Sequence, residues 1–295
     1  MAIDKAVDSG ALNGLFTDIA NAIRGKAGTS TTYTPTEMAT AITELPAGLD
    51  AGVLALIKGN ASGDIVATLP DNPRAMTITM GNEANRNPNV TGLDLTFRDS
   101  WGYYSSGGLK FESNVPRLKT LIFRSTTGGE MTLTRYDNAS QALRKIDNLE
   151  RVEFRNINYI NTYLPFKGAQ NLATALLDYV QSVGEQWFQN CPLLHTVDLG
   201  GLKTSKGSIY DNAFNDCSAL TALIIRSSAV WTISNTNALS GTPIASGSGY
   251  IYVPAARIST YSSSTNWVTY SSQFRALEDY TVDGTTSGAL DPTKI

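Results

Sequence analysis

The feature that most constrains this chain is a self-match at an offset of 26 residues. The stretch WFQNCPLLHTVDL, Trp187 to Leu199, lies on AFNDCSALTALII, Ala213 to Ile225. Phe188 meets Phe214, Cys191 meets Cys217, Leu194 meets Leu220, Val197 meets Leu223 and Leu199 meets Ile225. The last two apolar positions stand two apart, so both face one side of a short strand. The leucine three residues earlier turns the chain into that strand. Phe and Cys, further back on a turn or short helix, fill the layer behind. One such unit cannot bury its apolar face alone, whereas stacked units share a core.

The heart of the unit recurs upstream without its cysteine: Val90, Leu93 and Leu95; Leu118, Leu121 and Phe123; Leu149, Val152 and Phe154. Successive units are stepped by 28, 31, 45 and 26 residues, so the repeat is irregular. The long step holds GAQNLATALLDYVQSVG, Gly168 to Gly184, where Leu172, Leu176, Leu177 and Val180 follow helical spacing. That spacing predicts a helix inserted into one repeat.

In this register the outward strand positions align as two neighbouring columns. One holds Asp94, Ile122, Glu153, Asp198 and Ile224; the other holds Thr96, Arg124, Arg155, Gly200 and Arg226. One reading is solubilising pairing of Glu153 with Arg124 and Arg155. The other is a polar ladder that hydrogen-bonds a glycan or an acidic cell-wall polymer, since the forked donors of arginine suit phosphate and carboxylate. Trp101, Tyr103 and Tyr104 stand in DSWGYYSSGG, a Gly/Ser-rich stretch read as a loop with exposed aromatics. The candidate surface-binding residues are therefore Trp101, Tyr103, Tyr104, Arg124, Glu153, Arg155, Asp198 and Arg226.

The pattern Ala-Phe, two residues, Cys, two residues, Leu, then alternating apolar residues resembles the BspA-type leucine-rich repeat. The resemblance runs roughly from Gly52 to Leu277 and is strongest in the two units quoted first. It implies a right-handed curved solenoid with one strand per turn, used for adhesion and partner binding rather than catalysis. The expected fold is an α/β solenoid of irregular repeats of this type, preceded by a short N-terminal helical hairpin.

The hairpin is read from the first fifty residues. Leu12, Leu15, Phe16, Ile19, Ala22 and Ile23 share one helical face that stops at Gly25. A second helix starts with Thr34 as N-cap, Pro35 in the first helical position and Glu37 closing a capping box; Met38, Ala41, Ile42 and Leu45 are its apolar face. Two short helices enclose no full core, so these faces either cap the solenoid or dock on an assembly. The stretch LFTDIANAIRGKAGT followed by YTPTEMATAI resembles the helical N-terminal module of structural proteins in phages of Gram-positive bacteria. That likeness implies a mount on the virion, with Leu12, Leu15, Phe16, Ile19, Ile23, Met38 and Ile42 as anchoring residues. GVLALIKGNASGDIVATLP likewise resembles the strand-turn-strand lead-in to repeats in such proteins.

At the far end, GYIYVP reads as a strand stopped by Pro254, AARISTYSSSTNW as a short helix, and FRALEDY as a last strand covering the final turn. Tyr261, Trp267 and Tyr270 read as core closure. The tail DGTTSGALDPTKI is either mobile or reserved for a contact. The expected division is residues 1–48 for attachment, 49–243 for the solenoid, 244–280 for closure and 281–295 for the tail.

Composition narrows the chemistry. A formal charge of −3 and only 17% charged residues disfavour a nucleic-acid binder. Two cysteines give no disulfide framework, and Cys191 and Cys217 read as reduced, buried thiols. His195, the one histidine, reads as a surface residue, and no metal-spaced cluster, P-loop or nucleophile elbow accompanies it. No secretory signal or membrane-spanning run is read from the sequence. A virion protein released by lysis needs neither. The expectation is a non-enzymatic virion protein of the phage tail or baseplate, without cofactor, bound to other virion proteins through the N-terminal helices. Its repeats would meet a host-surface glycan or protein, several copies adding avidity, and a homo-oligomer stays open. Two rivals remain: an architectural neck, collar or head decoration, and a glycan-cleaving enzyme built on two carboxylates.

Overall fold

A computed structural model of the chain describes residues 17, 20–21, 34, 50–70, 77–80, 87–98, 101–102, 108–111, 117–132, 146–161, 165–200 and 206–294. Among them, nine strands form one parallel sheet in simple chain order: Ser62–Thr68, Asn89–Phe97, Thr120–Ser125, Arg151–Arg155, Thr174–Leu177, Thr196–Leu199, Ala222–Ile225, Tyr250–Val253 and Phe274–Ala276. Each strand is one turn of the chain, so every repeat lays its strand beside the previous one. Short second strands stack in the layer behind, for example Ser182–Val183 on Ser208–Ile209 on Thr232–Ile233. This is a repeat-built parallel sheet without barrel closure, the architecture expected of a solenoid.

The sheet register follows the apolar positions. Leu93 pairs with Leu121 and Leu121 with Val152; Leu95 pairs with Phe123 and Phe123 with Phe154. Val197 pairs with Leu223 and Leu199 with Ile225. All of these are buried, because a one-residue slip would turn every one of them to the outer face. Five phenylalanines stack inside the sheet, one per turn, Phe123 and Phe154 from the strands themselves and Phe166, Phe188 and Phe214 from the turns before later strands. Ring centroids are 5.6 Å apart for Phe123–Phe154, 6.1 Å for Phe154–Phe166, 5.0 Å for Phe166–Phe188 and 5.5 Å for Phe188–Phe214. The turns carrying Phe188 and Phe214 are tied to the next repeat by backbone bonds, Phe188 N to Ala213 O and Phe214 N to Ala238 O, both 2.8 Å. Asn190 and Asp216, one residue before the two cysteines, take left-handed φ values of 59°, which short polar side chains tolerate.

Two expectations about elements are corrected, and the tail takes the contact reading. The helix expected over 168–184 is a repeat: Thr174–Leu177 is a strand, paired with Arg151–Arg155 on one side and Thr196–Leu199 on the other. Ala175 stands where other units carry Leu or Val, so Leu172, Ala175 and Leu177 form the motif, and the step of 45 residues becomes two of 23 and 22. The lead-in is helix then strand rather than strand-turn-strand. Ala51–Lys58 is helical because Asp50 caps it, its Oδ1 accepting from Gly52 N at 2.7 Å, and Gly59 ends it at φ 73°. The tail folds back: Thr281 bridges Leu290, and Leu290 and Tyr280 pack on Ile224, Tyr252 and Leu277. Ile224, placed in an outward column, is thus buried under the tail.

Tyr261, Trp267 and Tyr270 close the core as read. The Tyr261 hydroxyl accepts from Trp231 N at 2.9 Å, and Trp267 Nε1 donates to Trp231 O at 2.7 Å. At the other end, Thr17, Ala20 and Asn21 are helical, with Ala20 buried. Leu12, Leu15, Phe16, Ile19, Ile23, Met38 and Ile42 lie outside the described residues. Among the described residues no helix is long and apolar enough to cross a membrane.

Candidate functional site

The outward columns assemble in the register read from the sequence, with one strand added. Asp94 lies beside Ile122, Ile122 beside Glu153, Glu153 beside Leu176, Leu176 beside Asp198 and Asp198 beside Ile224. One residue beyond the Phe154–Leu177 pair, Asp178 falls beside Arg155, its backbone N donating to Phe154 O at 2.7 Å. The second column therefore runs Arg124, Arg155, Asp178, Gly200, Arg226. Asp178 was hidden by the helical reading of its segment.

The expected pairing of Glu153 with Arg155 is present, while that with Arg124 is not. Arg124 forms a two-bond fork with Asp94, Nε to Oδ1 at 2.8 Å and Nη2 to Oδ2 at 2.9 Å. Glu153 is instead clasped within its own strand, by Arg151 Nε and Arg155 Nε at 2.6 Å each. Residues two apart share a face, so Arg151 and Arg155 reach Glu153 without crossing strands, and Asp94 captures Arg124. Glu153 is 2% exposed. Burial pushes its carboxyl upward, but the hydrogen bonds and charges of the two arginines outweigh burial and hold it below its usual range.

Asp198 and Arg226 make a second fork, Nε to Oδ1 at 2.9 Å and Nη2 to Oδ2 at 2.8 Å, each side chain 14% exposed. The same guanidinium reaches the tail: Arg226 Nη1 donates to Thr286 O at 2.7 Å and Gly288 O at 2.9 Å. Between the tail and the sheet lies a groove of about 930 Å³, bordered by Arg151, Arg155, Asp178, Tyr179, Asp198 and the segment 286–290. Asp178 sits in it with its carboxyl raised, by burial first and by the charge of Asp198 in addition, against the pull of Arg155. Gly200 makes room for it: a Cβ there would stand 2.8 Å from Asp178 Cα. Tyr179 takes φ 69°, beside Asn156 at φ 53°. The left-handed turn is ordinary for asparagine and costs a bulky side chain roughly 1–2 kcal/mol.

The structure thus brings Glu153, Arg155, Asp198 and Arg226 to one region, leaves Arg124 beside Arg155 but engaged by Asp94, and adds Arg151, Asp178 and Tyr179, which sequence reasoning missed. Their signal was Ala175: accepting it as a small apolar repeat position places Asp178 beside Arg155. Trp101 is in the strand Trp101–Gly102, paired in parallel with Met131 and Thr132, rather than in a loop. Tyr103 and Tyr104 lie outside the described residues.

His195 is exposed, with Nδ1 2.9 Å from Thr196 Oγ1. The Cys191 and Cys217 thiols are free and buried, facing Phe166 O at 3.1 Å and Phe188 O at 2.9 Å. The neighbouring Cys191 thiol and burial push the Cys217 thiol well above its ordinary range, away from thiolate reactivity. Among the described residues no group of three or more His, Cys, Asp or Glu side chains could hold a metal ion.

Residues 137–251 match the family model for the BspA type leucine-rich repeat region, in six copies. The matched span includes the strand at 174–177 that the spacing had hidden. No curated protein and no solved structure matches the chain.

Proposed function

We propose that this chain is a non-enzymatic component of a phage virion, joined to the tail or baseplate through residues 1–48, which binds the host surface with its leucine-rich-repeat sheet. The observation that carries the binding part is the open groove on the outward face of the sheet, furnished with charged side chains from four successive repeats. The adhesive use of BspA-type repeats supports the same reading. The virion part rests on the likeness of LFTDIANAIRGKAGT and YTPTEMATAI to the helical module of phage structural proteins. Fluorescently labelled full chain on Gram-positive cells, together with immunogold labelling of purified particles, tests both halves. Saturable cell binding and gold at the tail end are the expected results. Gold on the head or neck without cell binding would make the chain an architectural decoration instead.

A second reading, glycan cleavage, has one observation in its favour. Asp178 keeps a raised carboxyl in the same groove as Asp198, the starting condition for a general acid. Against it, Asp198 is held in a fork by Arg226 rather than turned to the groove as a free base. Release of reducing ends from a bound oligosaccharide would decide for cleavage.

A further inference from the structure

We infer that the groove between the sheet and the tail is a saccharide site for a neutral, hydroxyl-rich ligand, with Arg155 and Arg151 as donors, Asp178 as acceptor and Tyr179 as a flat wall. The inference rests on the host-binding reading and names the chemistry of its ligand. Its volume of about 930 Å³ lies within the range of small-molecule clefts. The floor crosses four neighbouring strands, so it is about 14 Å long at the usual strand spacing. That length suits a short oligosaccharide rather than one small metabolite.

The donors and acceptors left over define the ligand. Arg155 engages Glu153 through Nε, and Arg151 through Nε and Nη2. The terminal nitrogens of Arg155 and Nη1 of Arg151 have no partner among the described residues, and both side chains are partly exposed. Asp178 contributes a carboxylate held by the Asn156 backbone. Arg226 is committed to Asp198 and to the tail carbonyls. A mixed set of fixed donors and one acceptor matches vicinal hydroxyls, each of which gives one hydrogen bond and takes another.

Charge then selects a neutral ligand over an acidic polymer. Arg151, Arg155 and Arg226 line the groove with Asp178 and Asp198, and Glu153, buried beneath the lining, pairs with Arg151 and Arg155, so the charges around the groove offset one another. A phosphate or uronate chain would have to displace a carboxylate or lie against Asp178. Tyr179 adds an independent sign. Its turn is one that Asn156 takes without strain in the adjacent repeat, yet here a ring is held at φ 69° on the border of the groove. Strain kept where a small residue would fit marks a working position.

The test uses the full chain on immobilised neutral oligosaccharides of glucose, galactose, rhamnose and N-acetylglucosamine, with polyglycerol phosphate as the anionic counterpart. We expect binding to at least one neutral sugar, little changed between low and high salt, and lowered at least tenfold by Tyr179→Gly and by Asp178→Asn. Tyr179→Gly relieves the turn and gives up a partly buried ring packed on the core, two effects of opposite sign, so its thermal midpoint should move little, which separates loss of the ring from loss of the fold. Binding only to polyglycerol phosphate, with steep salt dependence, overturns the inference. So does neutral-sugar binding that survives both substitutions. If the chain binds cells but no neutral sugar, and Tyr179→Gly binds cells unchanged, the groove is wrong and host binding stands. If neutral sugar is bound through Tyr179 but no cell is, the site stands and host binding fails.

Discussion

Replacing Phe188 tests whether the repeats hold each other up through their rings. Phe188 is fully buried and stacks on Phe166 at 5.0 Å and on Phe214 at 5.5 Å, nearly parallel to both. Phe188→Ala should cost about 3–5 kcal/mol, the range for a buried ring replaced by a methyl group. Part of that is ring contact, about 0.5–1.5 kcal/mol per pair beyond the area buried. A double-mutant cycle isolates it. Phe188→Leu combined with Phe214→Leu should show a coupling of about 0.5–1.5 kcal/mol. Phe188→Leu combined with Phe123→Leu, three turns away along the ladder, should be additive within about 0.5 kcal/mol. Leucine is preferred to alanine here because it limits the cavity and the relaxation around it.

The assay is urea unfolding at 25 °C, followed by circular dichroism and by tryptophan fluorescence. Trp187 and Trp231 lie in the same stretch as the ladder, so the two signals report overlapping structure. Free energies are taken only where the two curves coincide, because a repeat array can unfold in parts. Additivity of the adjacent pair, or equal coupling of the adjacent and distant pairs, would refute the argument that stability passes from ring to neighbouring ring.

The carboxylates give predictions of opposite sign. The raised carboxyl of Asp178 favours the protonated native state, so its contribution is fully present below the unfolded value of about 3.9 and lost as pH rises through the folded value. Asp178→Asn should therefore raise the urea midpoint at pH 7 and leave it nearly unchanged near pH 3; a lower midpoint at pH 7 contradicts the reasoning. The lowered carboxyl of Glu153 contributes stability above the unfolded value of about 4.3, lost as pH falls through the folded value. Glu153→Gln should cost about 1–2 kcal/mol at pH 7, discounted for the partial exposure of both arginines, with the gap closing in acid. Arg226→Ala leaves Asp198 without its fork and frees the carbonyls of Thr286 and Gly288; it should cost roughly 2–3 kcal/mol and speed amide exchange over 284–290, and unchanged exchange there would mean the tail holds without it. A chain starting at residue 49 should keep its cell binding and lose incorporation into particles; normal incorporation would assign residues 1–48 to capping the solenoid.

Most of the sheet was legible because its signal is a spacing. Leu121, Val152, Val197 and Leu223 stand at fixed distances from a second apolar residue two positions on, and burial enforces that register. Thr174–Leu177 escaped because Leu172, Leu176, Leu177 and Val180 satisfy a helical period as well as a strand preceded by a turn, and a four-residue strand is too short for alternation to decide. Ala51–Lys58 was misread for the converse reason. Its run of Val53, Leu54, Leu56 and Ile57 resembles a strand, while the capping bond from Asp50 and the turn at Gly59 make the helix. Of the two partners of Glu153, Arg155 was legible and Arg151 was not, because the same face offers a carboxylate neighbours along its strand and across it. Only the presence of Asp94 one strand beyond Arg124 settles the choice.

The candidate site appears where the regular repeat is broken in three places at once. Ala175 shortens the apolar content of its strand, Gly200 withdraws a side chain from the outward column, and the tail crosses back over the sheet. The missing Cβ of Gly200 is what allows Asp178 to occupy the space between Arg155 and Arg226. The tail divides the outward face in two. On its far side Ile224, Tyr252 and Leu277 are sealed under Tyr280 and Leu290; on its near side Arg155, Asp178 and Asp198 line the groove. One guanidinium fixes both boundaries, since Arg226 binds Asp198 in the floor and the carbonyls of Thr286 and Gly288 in the wall. The width of the groove is therefore set by a single rigid fork. A lysine at that position would keep the charge but could not hold floor and wall together.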